Sequence, residues 1–371
     1  MFALYLDAKS AFDVVQKETM IRNLYFTHPQ GQALMHLRNR LENRTTFVDW
    51  NGALMGPIQD EQGLEQGGVS SSDYYKIYSK KQLELTQDSQ LGIKMGDLVI
   101  SSIGAADDTV LLSNSIYDLY YLLQLTLFYC SNNNVTLCPD KTQLQVYFKG
   151  DTPDEVLAFD ALNPIHINGQ PISLSKTAEH LGVIRNTDGN YPSLASRFAA
   201  HRRSLASVLH VGMARNHRSN PVMALRLNHL YGTPVLLSGL ASLILTDAEI
   251  DLIEKRHRQT LNSILRLYPK TPRAVIYFLA GTLPGSALLH LRQLSLFGMI
   301  SRMSDNILRQ HAFNLFQSKT IAKSSWFDQI RRWCLMYELP HPLDFLLHPP
   351  SKQDFRTLVK KKVVCYWEKR V

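Results

Sequence analysis

The chain changes character near residue 190, and that change limits its fold more than any other feature. Before it, short β-like runs alternate with helical stretches; after it, only helical periodicity is found. Leu4 and Leu6 alternate with Tyr5 and Asp7, a strand with an acidic tip. Thr45 to Trp50, Asn51-Gly52 and Ala53 to Ile58 read as a hairpin, because Asn-Gly supplies the positive φ of a tight primed turn. Leu98 to Ile103 and Thr109 to Leu112 are β-like, with Asp107-Asp108 between them. Ser115 and Asp118 have capping-box spacing ahead of the apolar helix Leu119 to Cys130. Leu144 to Phe148 and Leu181 to Ile184 are expected strands, and Ile165 to Leu174 a second hairpin around Asn168-Gly169. Later, Leu194 to Leu209, Val222 to Leu230, Ala248 to Leu267, Ser286 to Met303 and Trp326 to Met336 read as helices, with start signals at Asn220-Pro221 and Thr246-x-x-Glu249. The fold class is α+β.

Composition narrows the partners. Apolar residues are 45% and charged residues 19%, which excludes wholesale disorder in a chain long enough for two or three domains. No apolar run reaches the ~18 residues of a membrane span, and the N-terminus has no basic segment or cleavage site of a secretory leader. A nuclear or cytoplasmic, non-secreted protein without membrane contact is expected. The four cysteines form no CxxC pair or zinc spacing. Net charge is +8 but uneven: residues 1–150 hold 12 Lys and Arg against 16 Asp and Glu, the remainder 28 against 16. Gly189 to Thr246 holds no acid at all, while carrying Arg197, Arg202, Arg203, Arg215, Arg218 and Arg226. Such a stretch is either a solvated helix face or the footprint of a polyanion such as nucleic acid.

The carboxylates decide between chemistries. Asp is common in hairpin turns, so Asp107-Asp108 alone says little. If the strand ending in Asp7 neighbours that hairpin, three carboxylates share one sheet edge. Hard, oxygen-seeking Mg²⁺ requires such a set, and two ions about 3.5–4 Å apart can activate an attacking oxygen and stabilise a leaving one. Small Gly104, Ala105 and Ala106 keep the turn accessible.

Three further runs lie in order around it: Tyr5-Leu6-Asp7-Ala8-Lys9-Ser10-Ala11-Phe12-Asp13, Gly63-Leu64-Glu65-Gln66-Gly67-Gly68-Val69-Ser70-Ser71, and Pro139-Asp140-Lys141-Thr142. Taken with Ala106-Asp107-Asp108-Thr109, which falls between the second and the third, they resemble, in chain order, motifs A, B, C and D of a reverse-transcriptase palm, most similar in style to non-LTR (LINE-type) retrotransposon enzymes. Glu179-His180-Leu181-Gly182 resembles motif E, the primer grip. The resemblance covers about residues 1–190.

It implies a palm of antiparallel sheet and helices over 1–190, a basic helical thumb-like region over 191–303, and a helical segment of unassigned role over 304–371. It implies an RNA-directed DNA polymerase using two Mg²⁺ ions, or Mn²⁺ in their place, with RNA template, DNA primer and dNTP as partners. Asp7 and Asp107 would be metal ligands and Asp108 the third carboxylate. Ala8 would offer its carbonyl. Phe12 would be the steric gate against a 2′-OH, which argues against an RNA-synthesising relative. Gln66, Gly67 and Gly68 would sit against the templating pair, Lys141 would approach the triphosphate, and Leu181 and Gly182 would hold the primer end. Arg197, Arg202, Arg203, Arg215 and Arg218 would track the duplex.

The pattern departs from the family at two points. Ala105 stands where an aromatic residue is usual, and Ser71-Ser72 where Ser-Pro is. The sequence also opens at motif A, without the basic fingers that precede it in the family. A fragment that polymerises poorly is therefore expected. The rival of another class is an inactive retroelement remnant that only binds nucleic acid.

Overall fold

The computed structural model describes residues 1–27, 31–42, 44–96, 98–148, 164–172, 174–210, 220–304, 307–318 and 325–370. The chain is mixed α+β, with small antiparallel sheets confined to its first half and helices following. It divides into two units, Met1–Leu181 and Gly182–Val371. The expected division lay at 190; the observed one falls at the Leu181-Gly182 turn. Among the described residues no single helix is long and apolar enough to cross a membrane.

The first unit is organised by a four-stranded sheet. Its strands are β1 (Phe2–Leu6), β7 (Ser102–Ala105), β8 (Asp108–Ser113) and β10 (Gln143–Val146), in the order β10-β1-β8-β7. β1 is central, so its residues are hidden and read as an apolar run. Leu4 faces Leu111 on β8 and Leu144 on β10, and all three are fully buried. Burying each such side chain is worth about 1.5–3 kcal/mol. Helix α4 (Ile116–Asn132) packs behind, burying Leu119, Leu122 and Leu123, and Ser115 caps it by accepting from the Asp118 amide. Helix α3 (Ser71–Asp88) lies beside it, and the Tyr129 hydroxyl donates to the Tyr78 carbonyl at 2.8 Å.

The sequence's single strand from Leu98 to Ile103 is two, β6 (Leu98–Ile100) and β7, broken at Ser101. Strand β5 (Ile93–Met95) pairs with β6, and Ser101, fully buried, gives its hydroxyl to the Leu91 carbonyl instead of extending either strand. The expected strand at Leu181 to Ile184 begins two residues later, as β14 (Val183–Asn186), because Leu181 (φ 52°) and Gly182 (φ 68°) are left-handed and make a turn. The hairpin of β3 (Thr45–Trp50) and β4 (Ala53–Gln59) forms as expected around Asn51-Gly52, with both strands exposed throughout.

The second unit is helical. Helix α5 (Tyr191–His210) is followed by α6 (Pro221–Leu227), a five-residue π-turn at Asn228–Gly232, and α7 (Thr233–Leu236). Then come α8 (Asp247–Leu265), whose start carries a full Thr246–Glu249 capping box, α9 (Arg273–Ala280) and α10 (Gly285–Ser301). Four more follow: α11 (Ile307–Ser318), α12 (Trp326–Met336), α13 (Pro342–Leu347) and α14 (Lys352–Glu368). One core joins Leu289, Leu294 and Phe297 of α10 to Phe345, Phe355 and Val363. Residues 191–303 and 304–371 therefore share a core and are not separate bodies.

Candidate active site at the end of the central strands

Strand register positions the carboxylates. The last pair of β1 with β8 is Leu6 with Thr109, so one further step sets Asp7 opposite Asp108. On the other side of β8, Ala105 pairs with Asp108, which leaves Ala106 and Asp107 as a two-residue turn. Ala106 has φ 58°, a left-handed conformation that costs a non-glycine residue about 1–2 kcal/mol. Asp7, Asp107 and Asp108 thus lie at one end of one sheet, all partly open to solvent.

Their electrostatics are those of crowded like charges. The Asp108 carboxyl is held above the ordinary carboxylate range, first by burial and then by the Asp107 charge. Asp7 adds to the upward shift, while His180 and the Leu181 backbone N–H oppose it. Asp7 has its own cation, since the Lys141 ammonium stands 3.3 Å from its Oδ2. That contact lifts the lysine above its usual range. The lysine is positioned by a small knot. The Cys138 amide donates to the Asp7 carbonyl at 2.8 Å, and the Cys138 carbonyl accepts from the Thr142 amide and hydroxyl. The Asp140-Lys141-Thr142 run is therefore tied to the end of β1.

The donor chemistry suits a hard divalent cation, since it offers only carboxylate oxygens whose mutual repulsion a cation would relieve. As placed, however, the side chains are not drawn into a coordination shell. Among the described residues no three His, Cys, Asp or Glu side chains converge to hold a metal.

The second and first motifs are latched together. The Leu64 amide donates to the Phe12 carbonyl and the Gly63 amide to the Val15 carbonyl, both at 2.8 Å. Gln66 donates to Asp13 at 3.2 Å. Gly63 has no substitute here: its φ is +88°, and a Cβ would meet the Asp13 carbonyl oxygen at 3.0 Å. Gly67 is exposed at φ +83° with open space around it, and Gly68 packs on Glu65 and Ser71. Ala8 pairs with Leu137 on the short strand that precedes Cys138. The Phe12 ring is half-buried and lies 4.9 Å from that of Tyr75.

Two neighbours of the site, Tyr75 and His180, were given no role by the sequence, although His180 lies within the run resembling motif E. Tyr75 on α3 touches Phe12 and feels the Asp107 charge, its hydroxyl raised mainly by burial. His180 lies beside Asp108, with its ring 5.6 Å from Tyr5. Both arrive through tertiary packing.

The basic residues are less uniform than the sequence implied. Arg197 is half-buried and donates to the Gly182 carbonyl at 2.6 Å, a local backbone role. Arg202 and Arg203 are exposed on α5. Arg215 and Arg218 lie outside the described residues. Leu181 is exposed at the turn whose amide reaches Asp108.

Compared with family models and with curated proteins, the sequence matches none.

Proposed function

We propose that the chain is the palm and following helical region of a retroelement reverse transcriptase, an RNA-directed DNA polymerase acting on an RNA template, a DNA primer and dNTP. The observation that carries this reading is the register that sets Asp7 against Asp108 beside a two-residue turn holding Asp107. Ordered runs resembling motifs A to E surround those residues.

In this reading Asp7 and Asp107 would hold Mg²⁺ or Mn²⁺, with Asp108 as third carboxylate. The ions would supply charge neutralisation for attack of the primer 3′-OH on the α-phosphate. The protein's own part is positional. The Phe12–Leu64 and Asp13–Gln66 contacts would support the floor under an incoming sugar, and Phe12, backed by Tyr75, would exclude a 2′-OH. Lys141 exchanges between Asp7 and the triphosphate. Asp108, tethered by the Leu181 amide, links the carboxylates to the turn that would hold the primer end.

A second reading, a nucleic-acid-binding remnant without catalysis, is favoured by Ala105 and Ser72, which stand where the resembled pattern has an aromatic residue and a proline. Primer extension on an RNA template separates them. Extension is expected with dNTP and not NTP, by the chain itself or by a version carrying an added N-terminal fingers segment. That activity should vanish in Asp107→Asn. Nucleic-acid binding without extension in either version would overturn the polymerase reading and leave the remnant.

A further inference from the structure

Helix α14 belongs to the segment for which the sequence resemblance offers no role. Its buried side is Phe355, Val359 and Val363. Lys352, Arg356 and Lys360 are exposed, four residues apart, and so form one stripe with charges about 6 Å from the next along the axis. Among the described residues none of the three has an ion-pair partner, whereas Lys362 is taken up by Glu338 at 3.6 Å. Asp354, in the first turn, is engaged by the Ser351 hydroxyl at 2.7 Å in the helix cap.

The stripe begins and ends in clefts. The first, of about 490 Å³, is lined by Lys352 and Arg356 together with Arg302, Met299 and Met303, and among the described residues by no acid. The Arg302 guanidinium lies 5.6 Å from the centre of the Phe355 ring, and its buried Nη1 has no partner among the described residues. The second cleft, of about 670 Å³, is lined by Lys360, Trp367 and Phe278 and also by one acid, Glu368. Phe278 is 82% exposed, the largest exposure of any phenylalanine in the described core and surface.

We propose that this stripe with its two clefts is a polyanion-binding surface whose occupant is a single strand of nucleic acid. The cations contact successive phosphodiesters, and Phe278 provides a face on which a base stacks. Evenly spaced cations on one helix face, with a cleft at each end and an exposed aromatic ring in the second, match how single strands are bound irrespective of sequence. An anionic membrane is disfavoured, because the apolar face of α14 is consumed by the core and cannot enter a bilayer. The proposal rests on the reading of the chain as a nucleic-acid-handling protein, but not on polymerisation.

The test uses the whole chain and a fluorescein-labelled oligothymidylate of about 20 nucleotides, read by anisotropy across a salt series without Mg²⁺ or nucleotide. Loss of primer extension elsewhere leaves this readout untouched. The triple variant Lys352→Gln, Arg356→Gln, Lys360→Gln is expected to bind about tenfold or more weakly, with a salt slope shallower by about 2, since each single-strand phosphate contact contributes ~0.7. Phe278→Ala is expected to weaken binding about tenfold with the slope unchanged, the signature of lost stacking. The exposed substitutions should leave the thermal midpoint in place. Unaltered affinity and slope in the triple variant would overturn the proposal. So would a triple variant impaired on phosphatidylserine vesicles but not on the oligonucleotide.

Discussion

The Lys141 ammonium and the Asp7 carboxylate stand 3.3 Å apart, so one wall of the candidate site is neutralised by the protein itself. A divalent cation taking Asp7 must displace that lysine. Lys141 should then lose the partner that lifts its pKa and become a better nucleophile toward amine reagents. Acetylation of Lys141, followed by mass spectrometry, is expected to speed up on adding Mg²⁺ and to be indifferent to Mg²⁺ in Asp7→Asn. Equal labelling of the wild-type chain with and without Mg²⁺ would exclude Asp7 as a ligand.

Asp108→Asn should stabilise the first unit at neutral pH. The folded chain holds the Asp108 carboxyl above its unfolded value, by burial first and the Asp107 charge second. Ionisation is therefore easier in the unfolded chain, and stability falls as pH rises through the range between the two values. The gain from asparagine should be present above that range and disappear below about pH 4. Urea midpoints at pH 7 and pH 3.5 would show it; an equal gain at both would point away from charge.

Gly63→Ala should cost about 1–3 kcal/mol. The φ of +88° is strained for alanine, and the new Cβ would press on backbone atoms of Phe12 and Asp13 that have no rotamer to change. Gly67→Ala meets no atoms and should cost only the left-handed conformation, about 1 kcal/mol. Chemical denaturation of the two variants orders them; equal losses would mean that the latch between the first two motifs contributes nothing.

The helical unit should be labile to acid. Burial pushes His257 down to about 4 and His290 to about 3, and burial with the nearby Arg256 charge pushes His201 to about 4. Each is neutral when folded and charges readily when unfolded. Stability is thus complete above about pH 6.5 and is lost as pH falls toward the folded values, by up to about 1.4 kcal/mol per pH unit for each histidine. Tryptophan fluorescence reports mainly this unit, which holds Trp326, Trp333 and Trp367 of the four tryptophans, with the His290 ring stacked 3.7 Å from Trp333; in a Trp50→Phe background it reports this unit alone. Urea midpoints read by this signal that stay constant from pH 6.5 to pH 4 would show that the three histidines are not buried neutral.

Local signals were the most legible part of the sequence. Asn51-Gly52, Ser115 with Asp118, and Thr246 with Glu249 each name their partner within four residues, and each forms as expected. That Asp7 ends a strand and Asp107 sits in a hairpin turn was legible from local pattern, whereas their shared sheet end was an expectation conditional on β1 lying beside β8. Elements set by distant contacts were not. Ser101 breaks a continuous apolar run for the sake of the Leu91 carbonyl. Leu181, apolar and strand-like in isolation, turns left-handed and offers its amide to Asp108. Tyr75 and His180 join the site through packing between elements more than 60 residues apart from Phe12 or Asp108 in sequence. The stripe on α14 has helical spacing, but only the burial of Phe355, Val359 and Val363 shows which side is free.

The two-residue turn at Ala106-Asp107 leaves the site no slack. Asp107 and Asp108 inherit their place from β7, and Asp7 inherits its place from β1, with no loop to absorb a change of length. Substitutions across the sheet surface would leave that geometry standing. Insertion of one residue within β8 or β1 would slide the ladder and turn a carboxylate to the opposite face. Under the proposed retroelement reading the consequence concerns decay: such a site would outlast many base changes, yet a single in-frame codon gained in either strand would be enough to dismantle it.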